Sequence, residues 1–439
     1  MYISRYASLI ILGTGSLFCT SCGPETGVQD PPNILFCIAD DASYPFMSAY
    51  GCEWIQTPAF DQIAEEGLLF NNAYTPNAKC APSRSCILTG LNSWQLKDAA
   101  NHWPYFPEEF ASVAEVLDSA GYHTGFTGKG WAPGIAGELN GRKRQLTGTP
   151  YNRIRKTPPT PQISDIDYSE NFKAFLADQE EDQPWFFWYG GKEPHRAYTY
   201  GSGAAVGGMD PAALDSVPRF WPDNEVTRND LLDYALEVEY FDQELAEILQ
   251  VLEANGELEN TLVVVTADNG MPFPRIKGQE YELSNHLPLA MMWKNGIGAP
   301  GRAVDDLISF IDFAPTFLEL SGTKVDSGAQ FRQGKSLAPL FAGEKPARAW
   351  TPREYVLIGK ERHDVGRPDD AGYPIRGIVQ GDYLFLRNYT PNRWPAGNPV
   401  TGYLNCDGSP TKTEILDMNR KDTATWFWVQ NFGKRPDRE

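Results

Sequence analysis

Two apolar runs, each ending in acidic residues, constrain this chain most. Asn33-Ile34-Leu35-Phe36-Cys37-Ile38-Ala39 leads into Asp40-Asp41, and residues 261–266 lead into Ala267-Asp268-Asn269-Gly270. Neither run alternates polar with apolar residues, so each reads as a strand buried on both faces, the habit of parallel sheets covered by helices. Further apolar strands at 123–129 and 184–189 are interleaved with helical patterns at 59–67, 112–121 and 229–255. The last places Leu231, Leu232, Ala235, Val238, Phe241, Leu245, Ile248, Leu249 and Leu252 on one stripe, with its acidic residues expected on a solvated face. The expected fold is α/β, a mixed, mostly parallel sheet sandwiched by helices. From residue 351 onward, short strands at 354–358, 375–380 and 383–387, the last two joined at a Gly381-Asp382 turn, predict a small C-terminal antiparallel-sheet subdomain. This divides the chain into a main domain at 30–350 and an α+β subdomain at 351–439. Residues 196–228, rich in Gly and Pro, are expected as a long surface loop.

The first 21 residues read as an export signal. Arg5 supplies the positive region, Leu9-Ile10-Ile11-Leu12 with Leu17-Phe18 the apolar stretch, and Ser21-Cys22-Gly23 a small-residue processing site. Cys22 is placed for lipid attachment, so the expected location is the periplasm or, as a lipoprotein, the outer membrane. The formal charge of the 439-residue chain is -19, and loss of residues 1–21, which carry Arg5 and no acid, takes it to -20. That acidity argues against nucleic acid or an anionic membrane as partner, leaving a lipid anchor as the only membrane link. Beyond the signal, Cys37, Cys52, Cys80, Cys86 and Cys406 form no CxxC pair, which excludes a disulfide scaffold and a zinc site. Cys37 reads as a buried small hydrophobe, and pairing of Cys52 is left open.

The acids carry the chemistry. Asp40, Asp41, Asp268 and Asn269 are hard oxygen donors, suited to Ca²⁺ or Mg²⁺ and unsuited to copper or zinc. Each pair taken alone has a plainer reading as a helix cap or turn. Together they accompany Cys80-Ala81-Pro82-Ser83-Arg84, a cysteine at the start of a helical pattern that continues through Ile87-Leu88. The 12 Trp and 20 Tyr fit either a ring-lined sugar cleft or ordinary core packing.

These stretches, with Leu88-Thr89-Gly90 and Thr127-Gly128-Lys129, resemble the type I sulfatase family in order and spacing across most of residues 33–390. Asp268 through Pro274 and Lys360-Glu361-Arg362-His363 are similar to its heparan N-sulfatase (sulfamidase) branch. The resemblance implies an alkaline phosphatase-like fold, a catalytic domain at 30–350, and a Ca²⁺ ion, with Mg²⁺ the second choice, held by Asp40, Asp41, Asp268, Asn269 and the modified Cys80. It implies that a sulfatase-maturating enzyme oxidises Cys80 to formylglycine (3-oxoalanine), whose hydrate attacks sulfur and later expels sulfate. Arg84 would anchor that group. Lys129 and Lys277 would hold the sulfate oxygens, and His195, in Glu193-Pro194-His195-Arg196, would protonate the leaving oxygen or nitrogen. The family carries a histidine two residues after the motif lysine, where this chain has Trp131; His102 or His123 is the expected substitute base, and Trp131 a sugar-facing wall. Arg196 and the cluster Arg362, His363, Arg376 and Arg393 are the candidate sugar-recognition residues. The expected activity is that of an exported sulfuric ester hydrolase removing O- or N-sulfate from sulfated sugars or polysaccharide fragments in glycan degradation. The alternatives are a phosphodiesterase or phosphonate hydrolase of the same superfamily, or an inactive carbohydrate-binding relative.

Overall fold

The computed structural model describes Met1 and residues 31–214, 216–324, 330–343 and 350–439. The expected export signal and Cys22 lie outside the described residues. Residues 32–439 form one compact unit. Its central sheet begins with β1 (Asn33–Ala39), β2 (Leu68–Tyr74) and β3 (His123–Gly128), followed by the short ribbon β4 (Glu138–Leu139) with β5 (Arg142–Lys143), which stands apart from it. The sheet continues through β6 (Thr149–Pro150), β7 (Trp185–Gly190), β8 (Thr261–Ala267), β9 (His286–Met292), β10 (Arg302–Val304) and β11 (Ile308–Ser309). The strand order is β10-β2-β9-β8-β1-β7-β3-β6, with β11 also paired to β2. β9 runs antiparallel to both its neighbours and every other pairing in this sheet is parallel.

β1 is buried along its whole length, and its side chains divide between two cores. Leu35 and Cys37 face one layer, which includes residues of α1 (Pro58–Glu65); Ile34, Phe36 and Ile38 face the other, which includes residues of α2 (Cys80–Thr89) and α3 (Val113–Ser119). This is the two-sided burial that the unalternating sequence demanded. The first layer also holds α4 (Tyr168–Ala177), and α5 (Ser202–Ala205) packs against α6 (Glu225–Ala254), the longest helix of that layer. α6 starts earlier than its apolar stripe suggests because the Asn224 side chain accepts from the Thr227 amide and caps it. The expected loop at 196–228 therefore ends at the cap and contains α5.

The acidic residues of α6 do not form a solvated face. Asp230, Asp233, Glu237, Asp242 and Glu244 are all buried. Neighbouring backbone and cationic groups claim four of them: Asp242 accepts from the amides of Ala59 and Phe60 at the start of α1, Asp233 from Gly201 and Gly203, Asp230 pairs with Arg196, and Glu244 with Lys156. A periodic pattern reports the apolar stripe, whereas cap acceptors are set by elements distant in sequence.

The small antiparallel sheet is β12 (Val356–Lys360), β13 (Ile375–Gln380) and β14 (Tyr383–Asn388). Val356 and Val379 pack against Tyr74, and the Lys360 ammonium donates to the Gly278 carbonyl at 2.5 Å, so this sheet is tied to loops beside the cysteine helix. Two unforeseen helices, Pro410–Arg420 and Thr425–Phe432, return Ile415 and Phe432 to the first core. The described cysteines Cys37, Cys52, Cys80, Cys86 and Cys406 are free thiols, which resolves the open question about Cys52.

Candidate active site

Strand register brings the acids together. Ala39 of β1 pairs with Ala267 of β8, so Asp40 and Asp268 leave the sheet side by side at the carboxyl ends of parallel strands, where open α/β sheets place their ligands. On the other flank of β1, Ile38 pairs with Gly190 of β7, and Gly190 with Gly128 of β3, which carries Lys129 to the same edge. A Cβ on Gly128 would lie 1.9 Å from the Gly190 oxygen, so these two strand ends approach only as glycines. Asp41 adopts a φ of 82°, turning the chain so that its amide donates to Asp268 Oδ1 at 3.1 Å.

α2 delivers the cysteine. All ten of its residues are buried, Pro82 sits in the first turn where its missing amide costs nothing, and Gly90 closes the helix in the left-handed conformation. Cys80 Sγ lies 3.4 Å from Asp40 Oδ1. One turn on, fully buried Arg84 donates to Asp268 at 2.8 Å and to the carbonyls of Lys129 and Gly130 at 2.6 and 2.8 Å, locking α2 to the ends of β8 and β3. Burial pushes the Cys80 thiol pKa well up, and the neighbouring lysines do not reverse this, so the unmodified side chain is a thiol rather than a ready thiolate.

Ligand atoms of Asp40, Asp41, Cys80 and Asp268 all lie within 4.8 Å of one another. Lys129 pairs with Asp40 at 2.5 Å, Lys277 with Asp41 at 2.6 Å, and Arg84 with Asp268. Burial raises the Asp40 pKa, but Lys129, His195, Arg84 and Lys277 together override it and hold the carboxyl well below its usual range. Burial and the adjacent Asp40 push Asp268 up to about 6. Three carboxylates are thus balanced by three cationic side chains, and a divalent cation would leave a net positive pocket suited to an anion. The donor set fits such a hard cation. Asn269, held by its amide nitrogen on Asp41 and on the Gly270 carbonyl, leaves its Oδ1 fully buried with no hydrogen-bond partner, an oxygen that a cation in the cluster would satisfy.

Beside this cluster opens a cleft of about 640 Å³ whose walls include Asp40, Lys129, Trp131, His195, Arg196 and Glu237. His195 is 36% exposed; its Nδ1 donates to the Arg196 carbonyl, which leaves Nε2 turned toward Asp41, 3.9 Å away, and within reach of Cys80. Trp131 lines the cleft, but its ring is otherwise buried, donating from Nε1 to Ser85 Oγ at 2.8 Å and meeting Phe106 edge-on. Arg196 is clamped between the Tyr198 and Phe273 rings and spends its donors on Asp230 and the Pro272 carbonyl.

Other expected residues go elsewhere. His123 opens β3 at the end opposite Lys129 and stacks on Phe175, so it is no substitute base. His102 is bound through Nδ1 to Asp364, which also pairs with Lys79, the residue before Cys80. None of the C-terminal cluster lines the cleft. His363 is fully buried between Asn77 and the Gly278 carbonyl, Arg376 pairs with Glu361, Arg393 is exposed and donates to Gly372, and Arg362 turns back on the His363 carbonyl. Their adjacency in sequence is spent on holding the small sheet. Sequence reasoning missed Asp407, which pairs with Lys277 at 3.0 Å, because nothing local to Cys406-Asp407 marks it as a partner. Lys79 had a signal, its position next to the cysteine.

Residues 32–323 match the Sulfatase family. The chain is similar to human N-sulphoglucosamine sulphohydrolase, with 29% identity over 91% of this chain and 90% of the relative. It is also similar to the N-acetylglucosamine-6-O-sulfatase of Bacteroides thetaiotaomicron, with 26% identity over 79% of this chain and 78% of the relative. A structure solved in complex with its substrate D-glucosamine-2-N,6-O-disulfate superimposes with a TM-score of 0.63 at 20% identity, covering 93% of this chain and all of that one. That likeness establishes the fold.

Proposed function

Because the chain belongs to the sulfatase family, we propose that it is a formylglycine- and calcium-dependent hydrolase that releases sulfate from O- or N-sulfated sugars or glycan fragments. The observation that carries this reading is the convergence of Cys80 with Asp40, Asp41 and Asp268 at one sheet edge, with Lys129 and Lys277 on the same acids. Family relatives named for the N-sulfate and 6-O-sulfate of glucosamine sugars support the substrate class. Oxidised by a maturating enzyme, Cys80 would supply an aldehyde hydrate as nucleophile, and Ca²⁺ on Asp40, Asp41, Asp268 and Asn269 would stabilise negative charge beside it. Lys129 and Lys277 sit where they can bind the sulfate oxygens once a cation takes over their carboxylate partners. His195, on the open side of the cluster, holds the proton for the departing sugar oxygen or nitrogen. Arg84 positions rather than reacts, since it is fully enclosed. An export signal with Cys22 as lipid-attachment point supports a periplasmic or outer-membrane location.

The test is sulfate release from defined O- and N-sulfated oligosaccharides after co-expression with a maturating enzyme, with the mass of the Cys80 peptide measured in parallel. Turnover together with conversion of the thiol to the aldehyde is expected. An active preparation carrying only the thiol, or a large preference for a phosphodiester or phosphonate over every sulfate, refutes the proposal.

A further inference from the structure

The cleft contains a carboxyl group that the sulfate chemistry does not use. Glu237, in the middle of α6, lines the cleft with only 2% of its surface exposed, and it forms no hydrogen bond or ion pair with any described residue. Its acidic neighbours are committed. Glu193 accepts from the Ser164 amide and the Tyr168 hydroxyl, Asp233 from the amides of Gly201 and Gly203, and Asp230 from Arg196 and Thr411. Glu237 Oε1 is buried without a partner, and so is Nη2 of Arg196, the cationic side chain on the same wall. A donor and an acceptor of this kind, both deprived of water, call for one group that can serve both.

The charge state narrows the choice. Burial, then Glu193 and Asp233, push the Glu237 pKa up to about 9, with Arg196 offsetting only part, so the side chain is a neutral acid at neutral pH. An ammonium group would meet the Arg196 cation, and a second anion would add to an already acidic corner. An uncharged hydroxyl accepts from Arg196 Nη2 and donates to Glu237 Oε1 without adding charge. Resting on the sulfatase reading above, we propose that Glu237 and Arg196 form a hydroxyl-recognition subsite for the sugar that carries the sulfate. This subsite separates sugar sulfates from aryl sulfates, which offer no hydroxyl there.

The test compares kcat/KM of the matured protein for sulfated sugars and for 4-nitrophenyl sulfate. Glu237→Leu should lower the sugar-to-aryl ratio about tenfold, while Glu237→Gln, which mimics the neutral acid, should restore most of it. A panel of mono-deoxy sugars identifies the group: one hydroxyl whose loss costs the wild type about tenfold should cost Glu237→Leu little. A ratio that does not move, or equal losses on both substrates, overturns the subsite. If the wild type turns over no sulfated sugar, the functional reading fails on its own. The subsite is then judged by calorimetry on protein carrying the Cys80 thiol, where equal affinity of wild type and Glu237→Leu for the sulfated sugar overturns it.

Discussion

Arg84→Lys is the substitution that most directly tests how the site is assembled. The guanidinium ties three elements with bonds at 2.8 Å to Asp268, 2.6 Å to the Lys129 carbonyl and 2.8 Å to the Gly130 carbonyl. A lysine ammonium can keep the Asp268 pair or reach the carbonyls, but its single nitrogen cannot span both. The Lys129 carbonyl would retain the Trp188 indole at 3.1 Å; the Gly130 carbonyl would be left buried without a donor. An orphaned buried carbonyl costs ~1–3 kcal/mol and a lost bond to a charged group ~1.5–3 kcal/mol, so about 3 kcal/mol is expected in total. At roughly 2.1 cal/mol/K per residue, the compact unit of residues 32–439 has an unfolding entropy near 0.9 kcal/mol/K at Tm, so the melt should fall by about 3–4 °C. The assay is a calcium-saturated thermal melt of wild type and variant, read with kcat for a sulfated sugar. Activity should fall more than stability, because the lost bonds hold Lys129 in place. A melt within 1 °C of wild type, with activity retained, would show that the guanidinium does not tie these elements together.

Chelation should lower the melt and added Ca²⁺ should restore it. Saturation at a hundred times the dissociation constant adds about 2.7 kcal/mol, or roughly 3 °C on the same conversion, and a melt indifferent to both would refute a cation in the acidic cluster. His195→Ala should cost ~10²–10⁴-fold on a sugar sulfate, whose leaving group needs a proton, and far less on 4-nitrophenyl sulfate, whose leaving group does not; equal losses would remove His195 from the proton-donor role. Burial pushes the cap carboxyl Asp242 up to about 7, against the amides of Ala59 and Phe60. Since its folded pKa lies above its unfolded value of about 3.9, its contribution is fully present below pH 4 and is lost as pH rises toward 7. Asp242→Asn should therefore flatten the decline in urea midpoint between pH 4 and 7, and an unchanged slope would show that the carboxyl is not proton-linked to folding.

What could be read from the chain follows from where each group sits on its element. Asp40 and Asp268 each end an apolar run, and a parallel sheet places such ends on one edge, so two distant motifs converge with no knowledge of register. Cys80 and Arg84 are a single helical turn apart, so their shared direction is also a local property. The groups that balance these charges lacked such a signal. Lys277 reaches Asp407 and Lys79 reaches Asp364, contacts made only when the C-terminal segment folds back over α2. Glu237 was hidden among acids that looked solvent-facing, because helical periodicity distinguishes the apolar stripe from the rest but not a buried carboxyl from a wet one.

Trp131 shows the opposite case, a residue whose identity was conspicuous and whose role depended on geometry. Its indole is bonded to Ser85, adjacent to Arg84 on α2, and its ring edge meets Phe106. The side chain therefore braces the cysteine helix against the loop that carries Lys129. A histidine at 131 would lose the ring area that packs on Phe106, so restoring the family residue alone should loosen the site. With His123 at the far end of β3 and His102 held by Asp364, His195 is the histidine that the cleft presents to Cys80. Proton traffic at the nucleophile thus has one histidine available where the family pattern supplies two.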